Sequence, residues 1–407
     1  MNKSELQFSE PENRHGDPLP SKPVNRHWFL KHVTSLRIIT PMLALALAVQ
    51  VAPHIYAQAA DEHAVFAMTN SVEGNQIIAY SRAANGSLVE RNHYATGGRG
   101  SGGTTDPLAS QGSLTLSQDG ALLFAVNAST GDLSVFRTRG ASLGLAQVAS
   151  TGGSAPVAAA QHGDLVYVIN SAGNSNVVGF NLDETGHLTQ IPGSIRYLSA
   201  TNTFPSSLAF SPDGRFLVVT EKSTNNIDVF SVESDGTLSQ PKITQDPVPG
   251  LFDVVFSPDG VALIVQTGGS TSSNASSVSS YLVQEDGSLL PVTGSVPTRG
   301  TFACWIALTP NGQLAYVSNT LSSTISAFAI GSSGNVTALP GTVVASQPSG
   351  TNNLDIAVSQ DAKYVYTMNT GAGTIGIFAV QPDGSLKLTG SASGLEAHAG
   401  FEGLAAF

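Results

Sequence analysis

The 407-residue sequence holds one cysteine, Cys304. An intramolecular disulfide is therefore excluded. Charge is also scarce. Only 12% of residues are Asp, Glu, Lys or Arg, and the balance is acidic, with 18 Lys+Arg against 29 Asp+Glu and a net charge of −11. Basic residues never cluster, so the stripe needed to track phosphates is missing, and nucleic acid and anionic membrane surfaces are excluded as partners. No Gly-x-Ser-x-Gly elbow, His-Glu-x-x-His pair or Walker loop occurs, which removes the common signatures of serine hydrolases, zinc proteases and P-loop enzymes. The histidines beyond residue 60 (His63, His93, His162, His187 and His398) never stand at metal-ligand spacing to one another. Neither a metal nor a cofactor is expected.

What the sequence has in abundance is repetition. A phrase of the form apolar strand, Ser-x-Asp-Gly turn, apolar strand returns at intervals of about 50 residues, the period of a strand-built array. It reads LTLSQDGALLFAVN at Leu114–Asn127, LAFSPDGRFLVVTE at Leu208–Glu221, VVFSPDGVALIVQT at Val254–Thr267, IALTPNGQLAYVSN at Ile306–Asn319 and IAVSQDAKYVYTMN at Ile356–Asn369. A degenerate copy spans Val157–Asn170. Each copy predicts a hairpin, because the turn residues tolerate φ > 0 and the flanks are apolar. A second turn, such as SDGTL at Ser234–Leu238 or PDGSL at Pro382–Leu386, recurs out of phase and adds a third and a fourth strand per unit. Four antiparallel strands per unit make a propeller blade. The second turn counts seven units, with six or eight if a degenerate unit is misread.

The first unit lacks its opening strand, since HAVFAMTN at His63–Asn70 begins at the second one. FEGLAAF, Phe401–Phe407, reads like the start of a further repeat and then stops. The fold expected is therefore all-β: a seven-bladed β-propeller of four-stranded antiparallel blades, closed by the C-terminal strand joining the first blade. Closure removes the open edges that would template aggregation.

Residues 1–59 stand apart from this pattern. Met1–Pro23 is polar and has no apolar period, and reads as disordered. Basic residues then precede the apolar run Ile38–Ala52, and Ala57-Gln58-Ala59 offers small residues for cleavage. This predicts a signal peptide, with residues 60–407 as the propeller, periplasmic or secreted, and a mature N-terminus near Ala60. A retained membrane anchor is the alternative, although the apolar run is roughly 15 residues and a span needs about 20. A bacterial periplasm or exterior fits an exported chain that has no disulfide. A monomer is expected.

In a propeller, loops from several blades converge at the channel mouth, so the informative position is one where a single blade departs from the others. The second strand closes with Asn in five blades, at Asn70, Asn127, Asn170, Asn319 and Asn369. Asn there reads as a turn residue that bonds nearby backbone and permits a left-handed conformation. The fourth blade has Glu221 instead. A carboxylate at a channel mouth is a candidate general base, and a solvated Glu paired with Lys222 is the alternative. Ser207 and Asp253 lie at the start of neighbouring inner strands as candidate substrate-orienting groups, and Trp305 and Cys304 read as packing.

The hairpins with SPDG turns, together with LVVTEKSTNNIDVFSVESDGTL and YVSNTLSSTISAFAI, resemble the lactonase-type seven-bladed propellers, which include 6-phosphogluconolactonases and relatives of carboxymuconate cyclase. They are similar also to the YVTN-repeat propellers of exported proteins. The resemblance implies a lactone or sugar-like ligand at the channel mouth. In that family a Pro-Arg-His phrase opens one inner strand and a Glu closes the paired strand. Here Pro205 and Glu221 match, whereas Ser206 and Ser207 replace the Arg and the His. Two readings follow. One is hydrolysis of a neutral lactone, with Glu221 as base and Ser207 or Asp253 orienting the substrate. The other is a non-catalytic propeller that binds a protein, a glycan or a small ligand.

Overall fold

A computed structural model describes residues 63–269, 272 and 275–407. The expected leader and its cleavage site lie outside the described residues. Within them every element is a strand, and the strands form seven antiparallel sheets. Six sheets use consecutive strands. Their innermost strands are Leu114–Leu116 (blade 2), Pro156–His162 (blade 3), Pro205–Phe210 (blade 4), Leu251–Phe256 (blade 5), Ala303–Leu308 (blade 6) and Asn353–Val358 (blade 7). Blade 1 is built from both ends of this set. Leu404–Ala406 pairs with Ala64–Met68 in the register Val65↔Ala406, Phe66↔Ala405 and Ala67↔Leu404. The expected closure is therefore the observed one, and the inner strands meet in cyclic order around a central channel. Blade 3 differs at its rim, where Leu188–Gln190 and Arg196–Tyr197 both pair with Asn176–Leu182.

The repeated phrase explains the hairpins. At Ser211–Gly214 the Gly214 N–H donates to Ser211 O (2.8 Å) and Ser211 Oγ donates to Asp213 Oδ1 (2.6 Å). Gly214 sits at φ 70°, where an L side chain costs about 1–2 kcal/mol. Blade 7 places Ala362 at this position, at φ 56°. Second strands are sandwiched between neighbouring blades, and all six residues of Phe216–Glu221 are buried. The third strand of each blade buries one aromatic: Tyr80, Phe136, Phe180, Phe230, Tyr281, Phe328 and Phe378. These side chains fill the wedge between blades, each large ring removing far more apolar surface from water than an aliphatic residue.

The asparagines that close second strands act differently from the expectation. Only Asn70 takes a left-handed φ (50°); Asn127, Asn170, Asn319 and Asn369 do not. They are clamps. Asn127 Nδ2 donates to Ser134 Oγ on the third strand (2.8 Å), while its Oδ1 accepts from Thr96 Oγ1 (2.7 Å) and Asn75 Nδ2 (3.0 Å) on the preceding blade. Asn319 bonds Ser326 in the same way (2.8 Å), and Asn170 accepts from Thr151 (2.7 Å). The wholly buried Asn127 amide thus accepts from the preceding blade and donates within its own. A glycine packs against the asparagine in each case: a Cβ on Gly98, Gly153 or Gly300 would stand 2.4, 2.3 or 2.1 Å from the Cγ of Asn127, Asn170 or Asn319.

Candidate ligand site at the channel mouth

The mouth is built from one device used five times. The residue before the inner strand is left-handed in blades 3 to 7: Ala155 (φ 52°), Phe204 (48°), Gly250 (80°), Phe302 (59°) and Asn352 (48°). Its carbonyl accepts the N–H that follows the second strand: Ser171 (2.9 Å), Lys222 (3.2 Å), Thr267 (2.8 Å), Thr320 (3.1 Å) and Thr370 (3.1 Å). A left-handed residue swings its side chain out of the strand's alternation, so this ring decides what the mouth displays. Bulky residues rarely adopt that conformation. Phe204 does so, and it is 58% exposed.

The channel beneath is filled. The connection from blade 1 to blade 2 dips into it between Asp106 and Gly112. Lys222 Nζ of blade 4 donates to Ala109 O, and Trp305 Nε1 of blade 6 donates to Ser110 O (2.9 Å). Ser110 Oγ donates to Val157 O of blade 3 (2.8 Å), and the Gln111 N–H donates to Ser206 O of blade 4 (2.8 Å). Glu402, on the segment leading into the closing strand, accepts the N–H groups of Leu108 (2.8 Å) and Ser110 (3.1 Å). Phe252 and Trp305 pack edge to face below, with centroids 4.9 Å apart and no exposure at Trp305. This segment is a plug, tied to three blades and to the closing segment.

The three residues singled out in the sequence are all buried, but they do not converge. Glu221 turns away from the channel. It accepts from the Ser199 N–H (2.9 Å) and from the hydroxyls of Ser199 and Thr224. Its neighbour is Asp228 on the third strand, whose other oxygen also accepts from the Ser199 N–H (3.2 Å). Glu221 and Asp228 are therefore blade 4's form of the Asn127–Ser134 clamp, with two carboxyls where blade 2 has an amide and a hydroxyl. Burial first, and then the charge of Glu221, push the Asp228 carboxyl up to about 8. Ser207 Oγ donates to Asp253 Oδ1 (2.7 Å), and Asp253 Oδ2 accepts the Ile306 N–H (3.1 Å). Those bonds stitch the inner strands of blades 4, 5 and 6, and burial raises the Asp253 carboxyl to about 7. The expected grouping of Glu221 with Ser207 and Asp253 on one side of the mouth is corrected: the lone pairs of both carboxylates are already committed within the walls. Cys304 is fully buried, and burial holds its thiol protonated, in keeping with a packing role.

The residue that does face the mouth is the next one, Lys222. A cavity of about 450 Å³ opens there over blades 2 to 4, walled by Pro107, Leu108, Val157, Phe204 and Pro205, with Lys222 as its only charged lining residue. The Lys222 ammonium also lies over the Phe252 ring, 5.3 Å from its centroid. Burial lowers the Lys222 pKa, opposed by the negative charges of Asp106 and Glu402. Asp106, half-buried beside Pro107, has its carboxyl raised to about 6 by burial, with Lys222 pulling it back down. Burial and the neighbouring Asp106 and Asp355 raise Glu402 well above the usual range. Among the described residues no group of three or more His, Cys, Asp or Glu side chains converges as a metal site.

Lys222 enters the sequence reading only through the alternative for Glu221, as the partner of a solvated carboxylate, and not as a residue of the mouth. Asp106 was missed because the stretch from Thr96 to Ser113 has no period. The length of that connection was the available signal, since loops beyond about 12–15 residues are uncommon without a role.

A family model described as lactonase, 7-bladed beta-propeller, matches residues 161–275, 250–351 and 278–397, which together span more than half of the chain. Solved structures agree on the fold. A candidate 6-phosphogluconolactonase from Bacteroides uniformis is 22% identical with a TM-score of 0.64, covering 84% of this chain and 100% of that one. A protein from Lactobacillus plantarum is 18% identical with a TM-score of 0.66, covering 85% and 99%. The periplasmic gluconolactonase PpgL of Pseudomonas aeruginosa is 18% identical with a TM-score of 0.64, covering 83% and 98%. No curated protein matches the sequence. With seven closed blades, a plugged channel and a ligand-sized cavity at its mouth, this chain belongs to the lactonase family of seven-bladed β-propellers.

Proposed function

We propose that the protein hydrolyses a lactone in the cavity at the channel mouth. The observation that carries this reading is Lys222 in that cavity with Asp106, next to the wall residue Pro107, as a charged neighbour behind the lining, two groups whose pKa values are both displaced toward neutrality. Such displaced pairs in a cleft mark sites of proton chemistry. Lys222 is placed to receive the negative charge that forms on the lactone carbonyl oxygen. Asp106, as carboxylate, takes the proton from the attacking water. The base must be ionised and the ammonium protonated, so the rate rises with pH through about 6 and falls again as Lys222 loses its proton. Purified protein is assayed against a lactone panel. Lys222→Met and Asp106→Asn should each lose at least tenfold in rate, while Glu221→Gln, remote from the cavity, keeps most of it. Full activity in Asp106→Asn overturns the assignment of the base.

Binding without turnover is the second reading. It is favoured by one observation: no carboxylate or imidazole is among the residues that line the cavity itself. A dissociation constant for a lactone with no product released over hours would select it.

We further infer that the protein works in the periplasm or outside the cell, from the basic and apolar leader that ends at Ala57-Gln58-Ala59. N-terminal sequencing of the exported protein should begin near Ala60; a retained Met1 in a membrane fraction would instead favour an anchor.

A further inference from the structure

The walls of the mouth cavity also restrict the kind of lactone. Pro107, Leu108, Val157, Phe204 and Pro205 form a carbon face, while Lys222 supplies one cationic donor and Ser101, Ser171 and Ser223 the remaining polar side chains. A polyhydroxylated ring would set some of its hydroxyls against that carbon face, where no side chain bonds them, and unmet polar groups are what apolar surfaces discriminate against most strongly. An apolar substituent would instead be removed from water.

Phe204 sharpens the point. Its counterparts in the flanking blades are Ala155 and Gly250, small residues at the same left-handed position, and Phe302 of blade 6, the other aromatic there, is half-buried. A bulky aromatic kept in a strained conformation and left 58% exposed at a cavity has the marks of a functional constraint rather than of packing. Its carbonyl is bonded to the Lys222 N–H (3.2 Å), so ring and ammonium are fixed to one another through a single backbone link. The cavity, about 450 Å³, is large enough for a ring plus a side chain.

We propose that the ligand is a lactone bearing an apolar alkyl or aryl substituent, its carbonyl toward Lys222 and its substituent against Phe204 and Pro205. This rests on the lactone reading above. Burial of a methylene contributes about fourfold in affinity, so a short alkyl chain has a measurable effect.

The experiment is a matched series of γ-lactones titrated into the intact protein: γ-butyrolactone, its butyl-substituted homologue γ-octanolactone, and the polyhydroxylated ribono-γ-lactone. γ-Octanolactone should bind at least tenfold more tightly than either of the others. Phe204→Asn, which suits the left-handed backbone, should remove most of that advantage by weakening γ-octanolactone at least fivefold more than γ-butyrolactone. Tighter binding of ribono-γ-lactone, or equal losses for both apolar lactones in Phe204→Asn, overturns the substituent preference alone. If none of the three binds or is turned over, the lactone reading falls, and this inference with it.

Discussion

Blades 2 and 4 solve the same problem with different chemistry. In blade 2, Asn127 joins its own third strand to the connection from blade 1 through neutral groups, Ser134 and Thr96. In blade 4 the corresponding positions are Glu221, Asp228 and Ser199. An amide both donates and accepts, so the neutral clamp closes without help. Two carboxylates only accept, and the single N–H of Ser199 serves both. Burial first, and then the charge of Glu221 and a proton held between the two carboxyls, keep Asp228 protonated to about pH 8. An outlier in a repeat can therefore be a rebuilt joint that is sensitive to pH, with no ligand involved.

The comparison can be broken most severely on the neutral side. Asn127→Leu would strand Asn75, Thr96 and Ser134, three buried polar partners, and should cost roughly 3 kcal/mol or more. Chemical denaturation of the variant measures it; a loss below about 1 kcal/mol would mean that the clamp is dispensable. The acidic side gives a smaller effect with a distinctive shape. Asp228 keeps its proton in the fold up to about pH 8, whereas in an unfolded chain it gives it up near 4. Folding takes up a proton between those values. This contribution is complete below about pH 4 and is lost as pH rises through 8, at up to about 1.4 kcal/mol per pH unit. Converting blade 4 to the neutral pattern with Glu221→Asn and Asp228→Ser should flatten the stability profile over that range. A profile unchanged by the double substitution would show that the pair does not share a proton. The mildest test concerns the turn on the opposite face. Ala362→Gly restores the residue that the other left-handed turns carry and should stabilise by about 0.5–1 kcal/mol, read from the thermal midpoint.

The fold was legible because the information for it is local and repeated. A Ser-x-Asp-Gly turn between apolar strands needs only its neighbours to form, and each recurrence confirmed the last. The orphan strand Phe401–Phe407 found its place because only one unit lacked one. The site was legible in location but not in residue. Glu221 ends its strand and is held within the wall, whereas Lys222, the first residue beyond it, lines the cavity. The plug was not legible at all, because Ser110 meets Trp305 across 195 residues and no local pattern announces such a contact. Ser207 and Asp253 were rightly found at the inner strands, but their commitment to each other depends on a blade spacing that periodicity alone does not supply.

Glu402 has a consequence for the order in which the molecule matures. Its carboxyl holds the backbone of Leu108 and Ser110, and the neighbouring Leu404–Ala406 completes blade 1. This segment leaves the ribosome after all the other strands. Until it docks, the plug lacks one of its anchors and Pro107, Leu108 and Ala109 lack the position that makes them a cavity wall. Nascent chains carrying six finished blades thus lack a formed mouth cavity, and the cavity is completed together with the last strand.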